Sequence, residues 1–121
     1  ARDLQVGDRV ALCFGLAESC SPGGAFAEYC ACPQDQVCKV PGDMQLSTAA
    51  GLPLAGLSAY QALFTGKARS SKGEMLGNVM DGSKVLILGG DRGPGHIAVQ
   101  LAHNAGATVV TTAAPSKLDF L

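Results

Sequence analysis

The residues best suited to chemistry form a glycine-rich turn, Gly90-Asp91-Arg92-Gly93-Pro94-Gly95, directly after an apolar run. Against the pattern G-x-G-x-x-G, the first and last glycines match and Arg92 occupies the middle position. Where such a turn joins a strand to a helix, a pyrophosphate can approach the backbone closely, and the helix start offers N–H groups and partial positive charge. The pattern predicts a dinucleotide site. The alternative is a tight strand-to-helix turn that binds nothing.

The elements around the turn meet the structural condition for such a site. The run Lys84–Leu88 predicts a strand buried on both faces. Apolar residues then recur at helical spacing from Ile97 to Ala105, and Gly106 is placed to stop the helix. Thr108–Thr112 predicts a second strand. Strand, turn, helix and strand make a βαβ unit of about 30 residues, which indicates an α/β fold.

Two residues of the turn depart from the expected pattern. Arg92 replaces the glycine that keeps side chains away from a pyrophosphate. Its side chain either swings outward and pairs with a phosphate, or fills the cradle and marks a protein that has lost the cofactor. Pro94 removes one backbone N–H from a turn whose N–H groups are the ligands.

The end of the second strand indicates which nucleotide is bound. It consists of small, uncharged residues, Thr112, Ala113 and Ala114. A site that prefers NAD places an acid here, whereas the nearest acid is Asp119 in the next helix. Ser116 and Lys117 suit a phosphate, Lys117 as a point charge and Ser116 or Thr112 as hydrogen-bond donors. The pattern favours NADPH over NADH, with a solvated surface lysine as the alternative reading of Lys117.

The first half of the chain predicts small antiparallel β structure. Short β-prone runs, Val6–Val10, Phe26–Cys32 and Val37–Val40, alternate with turn signals. Ser47 is a candidate N-cap of a short helix that Pro53 should end or restart, with a second helix over Leu54–Phe64. The polar, glycine-rich stretch 65–82 predicts a surface connection.

Composition excludes several classes of protein. The 121 residues include 9 Lys and Arg against 10 Asp and Glu, so the net charge of −1 gives no basic surface for nucleic acid or an anionic membrane. The longest apolar stretch, Ala49–Phe64, is interrupted by glycine and proline and is shorter than the roughly 20 residues of a membrane helix. We expect a globular protein of a reducing compartment, the cytoplasm, with a mitochondrial location left open.

The five cysteines give no metal-binding spacing. Cys13, Cys20, Cys30, Cys32 and Cys38 contain no C-x-x-C pair. Cys30 and Cys32 are expected on one face of a strand. We interpret the cysteines as small apolar residues of a β core and predict no metal site, with a thiol-based metal or redox site as the alternative.

Several blocks together resemble one enzyme family. They are Val6–Val10, Gly24–Tyr29, Leu52–Leu63 and Val85–Leu101. Their order and spacing resemble the medium-chain dehydrogenase/reductase superfamily, nearest its zinc-independent quinone-oxidoreductase or zeta-crystallin-like branch. The resemblance implies that residues 1–46 are the later part of a GroES-like substrate domain. Residues 47–121 would be the first βαβ unit of a Rossmann NAD(P)-binding domain, and the chain about a third of such an enzyme.

The resemblance also implies a function. The full-length protein would be an NADPH-dependent reductase that transfers hydride to a quinone, conjugated enone or carbonyl without zinc, and would form a homodimer. Ser58 matches a position near the nicotinamide, unless it is only a small polar residue at a helix interface. The catalytic groups would precede residue 1, so none is named and this chain alone should be inactive. The alternatives are a non-enzymatic structural or regulatory subunit and a thiol-metal binding module.

Overall fold

The structure is a computed structural model that describes residues 4–13, 25–65, 68–69 and 75–121. The chain divides into two compact units, Ala1–Pro53 and Leu54–Leu121, and the division lies inside a long helix. None of the helices in the described ranges is long and apolar enough to cross a membrane.

The described part of the first unit contains an antiparallel strand pair, as the sequence predicts, although its first strand begins only at the last residue of the run Val6–Val10. Strand β1 (Val10–Leu12) pairs with β2 (Val37–Lys39). The guanidinium of Arg9 donates to the carbonyls of Gly42 and Met44, the first at 2.9 Å, and so fixes the loop that follows β2. The strand expected over Phe26–Cys32 is wrong. Phe26 and Tyr29 are exposed and no described strand pairs with this segment, so Cys30 and Cys32 do not share a strand face.

Helix α1 (Leu46–Phe64) is continuous through Pro53, so the predicted break is wrong. A proline removes one donor from the helix, and nineteen residues provide enough hydrogen bonds on both sides to continue it. Ser47 is the second helical residue rather than the cap, because the Gln45 carbonyl already accepts the Ala49 N–H at 2.9 Å. The stretch predicted as a surface connection contains two short antiparallel strands, β3 (Ala68–Arg69) and β4 (Met75–Leu76).

The second unit is built on a strand–turn–helix–strand arrangement, which confirms the predicted α/β fold. Strand β5 (Lys84–Ile87) leads through the glycine turn to α2 (Gly93–Asn104). Strand β6 (Thr108–Thr111) then pairs with β5 in parallel. A 3₁₀ helix, Pro115–Phe120, follows.

Helix α2 is stopped, as predicted, by Gly106, which follows the C-cap residue Ala105. This glycine has φ +81° and donates its N–H to the His103 carbonyl at 2.9 Å. The next residue, Ala107, donates to Ala102 at 3.1 Å, which completes a Schellman motif. The chain is thereby turned from α2 into β6.

The core of the second unit lies on one face of the parallel pair. Its buried members come from α1, β5, α2 and the turn after α2: Ala59, Leu63, Ile87, Ala98, Ala102 and Ala107. On the other face, Leu86 is 64% and Leu88 73% exposed, so the prediction of a strand buried on both faces is wrong for this chain. The described helices cover only the face that carries Val85 and Ile87.

Candidate functional site

The glycine turn between β5 and α2 owes its shape to close backbone approaches. Gly89 has φ +76°, a conformation that favours glycine. A Cβ on Gly90 would lie 3.1 Å from both Thr111 Cβ and Val99 Cγ2. A Cβ on Gly95 would clash with the Gly89 carbonyl group. These glycines therefore bring α2 and β6 against the turn.

Hydrogen bonds fasten the turn to the end of β6. Gly89 donates its N–H to Thr112 Oγ1 at 3.0 Å, and Gly90 donates to the Thr112 carbonyl at 2.9 Å. The Thr111 hydroxyl donates to the Ile87 carbonyl at 2.7 Å. Thr112 can still act as a donor to a ligand, because a hydroxyl that accepts one hydrogen bond keeps its own proton. The sequence pattern did not single out Gly89 or Thr111 as site residues. A hydroxyl residue at the end of a strand beside a glycine turn is a usable signal for Thr111.

Much of the backbone donor capacity of the turn is already used. The Arg92 carbonyl accepts the N–H groups of Gly95 and His96, at 2.8 and 3.3 Å. Arg92 itself donates to the Gly89 carbonyl at 3.2 Å, and Pro94 has no N–H. At Gly93, the first helical residue, the N–H has no acceptor within the described part of the chain. An anion at this helix start therefore depends on few N–H groups and on the side chains nearby.

The side chain of Arg92 is exposed to solvent and lies beside Asp91. Arg92 is the N-cap of α2, with extended backbone angles of φ −140° and ψ 147°, so its position does not require glycine. Its side chain is 82% exposed, and its Nε lies 3.8 Å from Oδ2 of Asp91. Whether Arg92 pairs with a phosphate or fills the cradle stays a prediction.

Asp91 holds the turn to the segment after β6. Its side chain is only 5% exposed, and its Oδ2 accepts the Ala114 N–H at 3.3 Å. This contact joins the carboxylate to a residue that lies beyond the β6 strand. The geometry gives Asp91 a positioning role, which the sequence pattern alone did not reveal.

The segment after β6 carries the remaining predicted residues. Ala113 is half-buried, while Ser116 and Lys117 are exposed in the 3₁₀ helix. The Lys117 N–H donates to the Ala114 carbonyl at 2.8 Å. The rings of His96 and Phe120, with centroids 6.0 Å apart, place this helix beside the first turn of α2. The two ends of the candidate site are thus brought together.

The structure does not join Ser58 to the turn through any hydrogen bond of the described residues. Ser58 is exposed on α1, and its hydroxyl donates to the Leu54 carbonyl of the same helix at 2.7 Å. Tyr60 is half exposed, and its ring contacts that of Phe64 at 5.1 Å between centroids. The predicted place of Ser58 near a nicotinamide stays a prediction.

Cys30, Cys32 and Cys38 are free thiols, Cys13 is the fourth cysteine of the described ranges, and Cys20 lies outside the described residues. In the described ranges no three or more His, Cys, Asp or Glu side chains are grouped so as to hold a metal ion. Cys38 Sγ lies 3.5 Å from the Ala11 carbonyl, as a weak donor between the paired strands.

Comparison with known proteins gives several clear relatives. The chain is 35% identical over 121 residues to a trans-enoyl reductase of Trichoderma harzianum, covering 98% of this chain and 33% of that protein. The structure matches the quinone oxidoreductase of Coxiella burnetii with a TM-score of 0.74 and 33% identity, over 98% of this chain and 33% of the other. It also matches a mycobacterial protein solved in complex with NADPH, with a TM-score of 0.71 and 31% identity, over 98% and 31%.

These similarities define the class of protein. The chain belongs to the medium-chain dehydrogenase/reductase superfamily, as its sequence blocks suggested. It spans about a third of the length of the relatives it matches. No family model matches the chain.

Proposed function

We propose that the protein containing this chain is an NADPH-dependent reductase that transfers hydride to a conjugated enone, a quinone or a carbonyl without zinc. The observation that carries the proposal is the glycine turn between parallel strands, followed by a β6 end without an acid. In βαβ units the dinucleotide lies at the carboxyl ends of the strands, which is where this turn lies. The relatives described as trans-enoyl reductases favour the conjugated enone among the three substrate classes.

The residues present fit NADPH. Gly93 has φ +35°, and a Cβ there would meet nothing within 4 Å, so the space above the start of α2 is open to a phosphate. The side chain of Arg92 is exposed beside Asp91, where a guanidinium can pair with a phosphate. Thr112, Ala113 and Ala114 supply no acid that would repel a 2′-phosphate, and the Asp91 carboxylate that reaches this segment is almost fully buried.

Each predicted residue then has a role. The turn from Gly90 to Gly95 accommodates the pyrophosphate, with the Gly93 N–H as a backbone donor that is free within the described residues, and Ala113 leaves room for the adenosine. Thr112, Ser116 and Lys117 donate to the ribose and its phosphate. Ser58 lies toward the nicotinamide, where its hydroxyl lone pairs accept a hydrogen bond while it donates to Leu54. NADPH, when bound, supplies the hydride.

The domain organisation follows from the same proposal. Residues 1–46 form part of the substrate domain and residues 47–121 part of the cofactor domain. The whole protein acts as a homodimer, and size-exclusion chromatography with light scattering tests this directly. A monomer at assay concentration would contradict it.

The substrate class is tested by following NADPH oxidation by the protein as its gene encodes it. The acceptors are an α,β-unsaturated thioester, a quinone, a saturated aldehyde and, as the matched control, the saturated thioester of the same length. We expect turnover of the unsaturated but not the saturated thioester, unchanged after treatment with a zinc chelator. Loss of turnover on chelation would contradict zinc independence. NADPH binding without turnover of any acceptor would instead indicate a non-enzymatic subunit.

A further inference from the structure

Asp91 and Arg92 are neighbours in the turn, but their side chains lie in opposite environments. The carboxylate of Asp91 is almost fully buried, whereas the guanidinium of Arg92 is largely exposed. Their closest atoms, Asp91 Oδ2 and Arg92 Nε, are 3.8 Å apart. The buried charge attracts the exposed one, and since Nε is the atom near the carboxylate, the two terminal nitrogens of Arg92 stay available to a ligand.

The same carboxylate locates Arg92 relative to β6. Asp91 Oδ2 accepts the N–H of Ala114, which follows the end of β6. One oxygen atom therefore contacts both the base of the Arg92 guanidinium and the segment that bears the candidate ribose-binding residues. Arg92 Nε is accordingly linked through Asp91 Oδ2 to the segment that follows β6.

The segment that follows β6 is the part of a βαβ unit beside which the adenosine ribose of a dinucleotide lies. Its phosphate-binding capacity must come from side chains, because the turn has few free N–H groups. A guanidinium presents a rigid fork of donors to a phosphate, whereas a lysine presents a single flexible charge. Lys117 lies in the 3₁₀ helix beyond Ala114 and is exposed.

We propose that Arg92, positioned by Asp91, binds the 2′-phosphate of NADPH and is the main determinant of preference for NADPH over NADH. This inference rests on the proposed function. It differs from the sequence-based assignment, which gave the 2′-phosphate to Lys117.

The test is to titrate the protein, as its gene encodes it, with NADPH and with NADH, and to measure binding through the fluorescence of the nucleotide. For Arg92→Gln we expect the Kd for NADPH to rise about 10- to 100-fold, the range for one charged hydrogen-bonding group, and the Kd for NADH to stay within about twofold. Arg92→Lys should restore part of the preference. The unchanged NADH affinity shows that the variant is folded.

Two further variants make the test specific. Lys84→Gln removes one positive charge at the amino end of β5, away from the turn, and should leave both affinities unchanged. Lys117→Gln should weaken NADPH less than Arg92→Gln does. The inference is overturned if Arg92→Gln changes both nucleotides equally or neither, or if Lys117→Gln alone removes the preference. Failure of the wild-type protein to bind either nucleotide would overturn the proposed function itself.

Discussion

Gly95, in the first turn of α2, lies close against the Gly89 carbonyl group, so an alanine at this position should destabilise the second unit. The added Cβ would clash with the Gly89 carbonyl oxygen, and would lie 2.8 Å from its carbon and 3.3 Å from Gly90 Cα. These are backbone atoms of a turn that is hydrogen-bonded to β6, so the turn itself must move. Overpacking of this kind costs about 1–3 kcal/mol.

Gly56→Ala is the matched control. Gly56 lies in α1, and a Cβ there would meet nothing within 4 Å. Because alanine favours a helix over glycine by up to about 1 kcal/mol, this variant should be slightly stabilised. An alanine gains helix propensity at Gly95 as it does at Gly56. The difference in the free energy of unfolding between the two variants therefore reports the steric clash at Gly95. We expect a difference of at least about 1–3 kcal/mol in the free energy of unfolding.

The assay is urea unfolding of the protein as its gene encodes it, followed by circular dichroism for the wild type, Gly95→Ala and Gly56→Ala. The midpoint should fall for Gly95→Ala and rise or stay constant for Gly56→Ala, with little change in slope. Equal midpoints for the two variants would refute the reasoning, because they would show that the turn accommodates a Cβ without cost.

Three other predictions concern single contacts. Gly106→Ala adds a Cβ to a residue with φ +81°, and this atom would lie 3.1 Å from Asp81 Cγ. The free energy of unfolding in urea should fall by at least about 1–2 kcal/mol. An unchanged midpoint would contradict the role of Gly106 in ending α2. A hydrogen bond from the side chain of Lys39, at 2.8 Å, lowers the pKa of Asp8 below its ordinary 3.8. The stabilisation from this pair is therefore present above pH 3.8 and is lost as the pH falls through the lowered pKa of Asp8. Lys39→Gln should raise the pKa of Asp8 in an NMR titration, and an unmoved titration would exclude this cause. Arg9→Lys loses the forked contacts to the loop after β2 and should cost about 1–2 kcal/mol, whereas equal stability would show that charge alone suffices.

The sequence predicted those parts of the fold whose signals are local. An apolar run, a glycine turn and helical spacing ending at Gly106 specify the strand–turn–helix–strand order, because each step depends on neighbouring residues. The break predicted at Pro53 is wrong because local propensity was outweighed by hydrogen bonds along the rest of α1. The strand predicted over Phe26–Cys32 is wrong because β propensity needs a pairing partner, which no described segment provides.

The sequence predicted that the glycine turn lies between a strand and a helix, but not how the side chains of the turn are arranged. The pattern placed Asp91 and Arg92 in one turn, yet it could not show that one is buried and the other exposed. The contact of Asp91 with Ala114 joins residues 23 positions apart, so it depends on how β6 returns beside the turn. The exposure of Leu86 likewise depends on which elements cover that face of the sheet. The residues of the strand alone do not specify those elements.

The most direct test of the central claim is a fluorescence titration of the protein, as its gene encodes it, with NADPH and NADH. The glycine turn, the exposed Arg92 and the lack of an acid among Thr112, Ala113 and Ala114 predict saturable binding of NADPH, with NADH at least about tenfold weaker. Equal affinity for the two nucleotides would contradict the assigned preference. No binding of either nucleotide would contradict the assignment of this turn as a dinucleotide site.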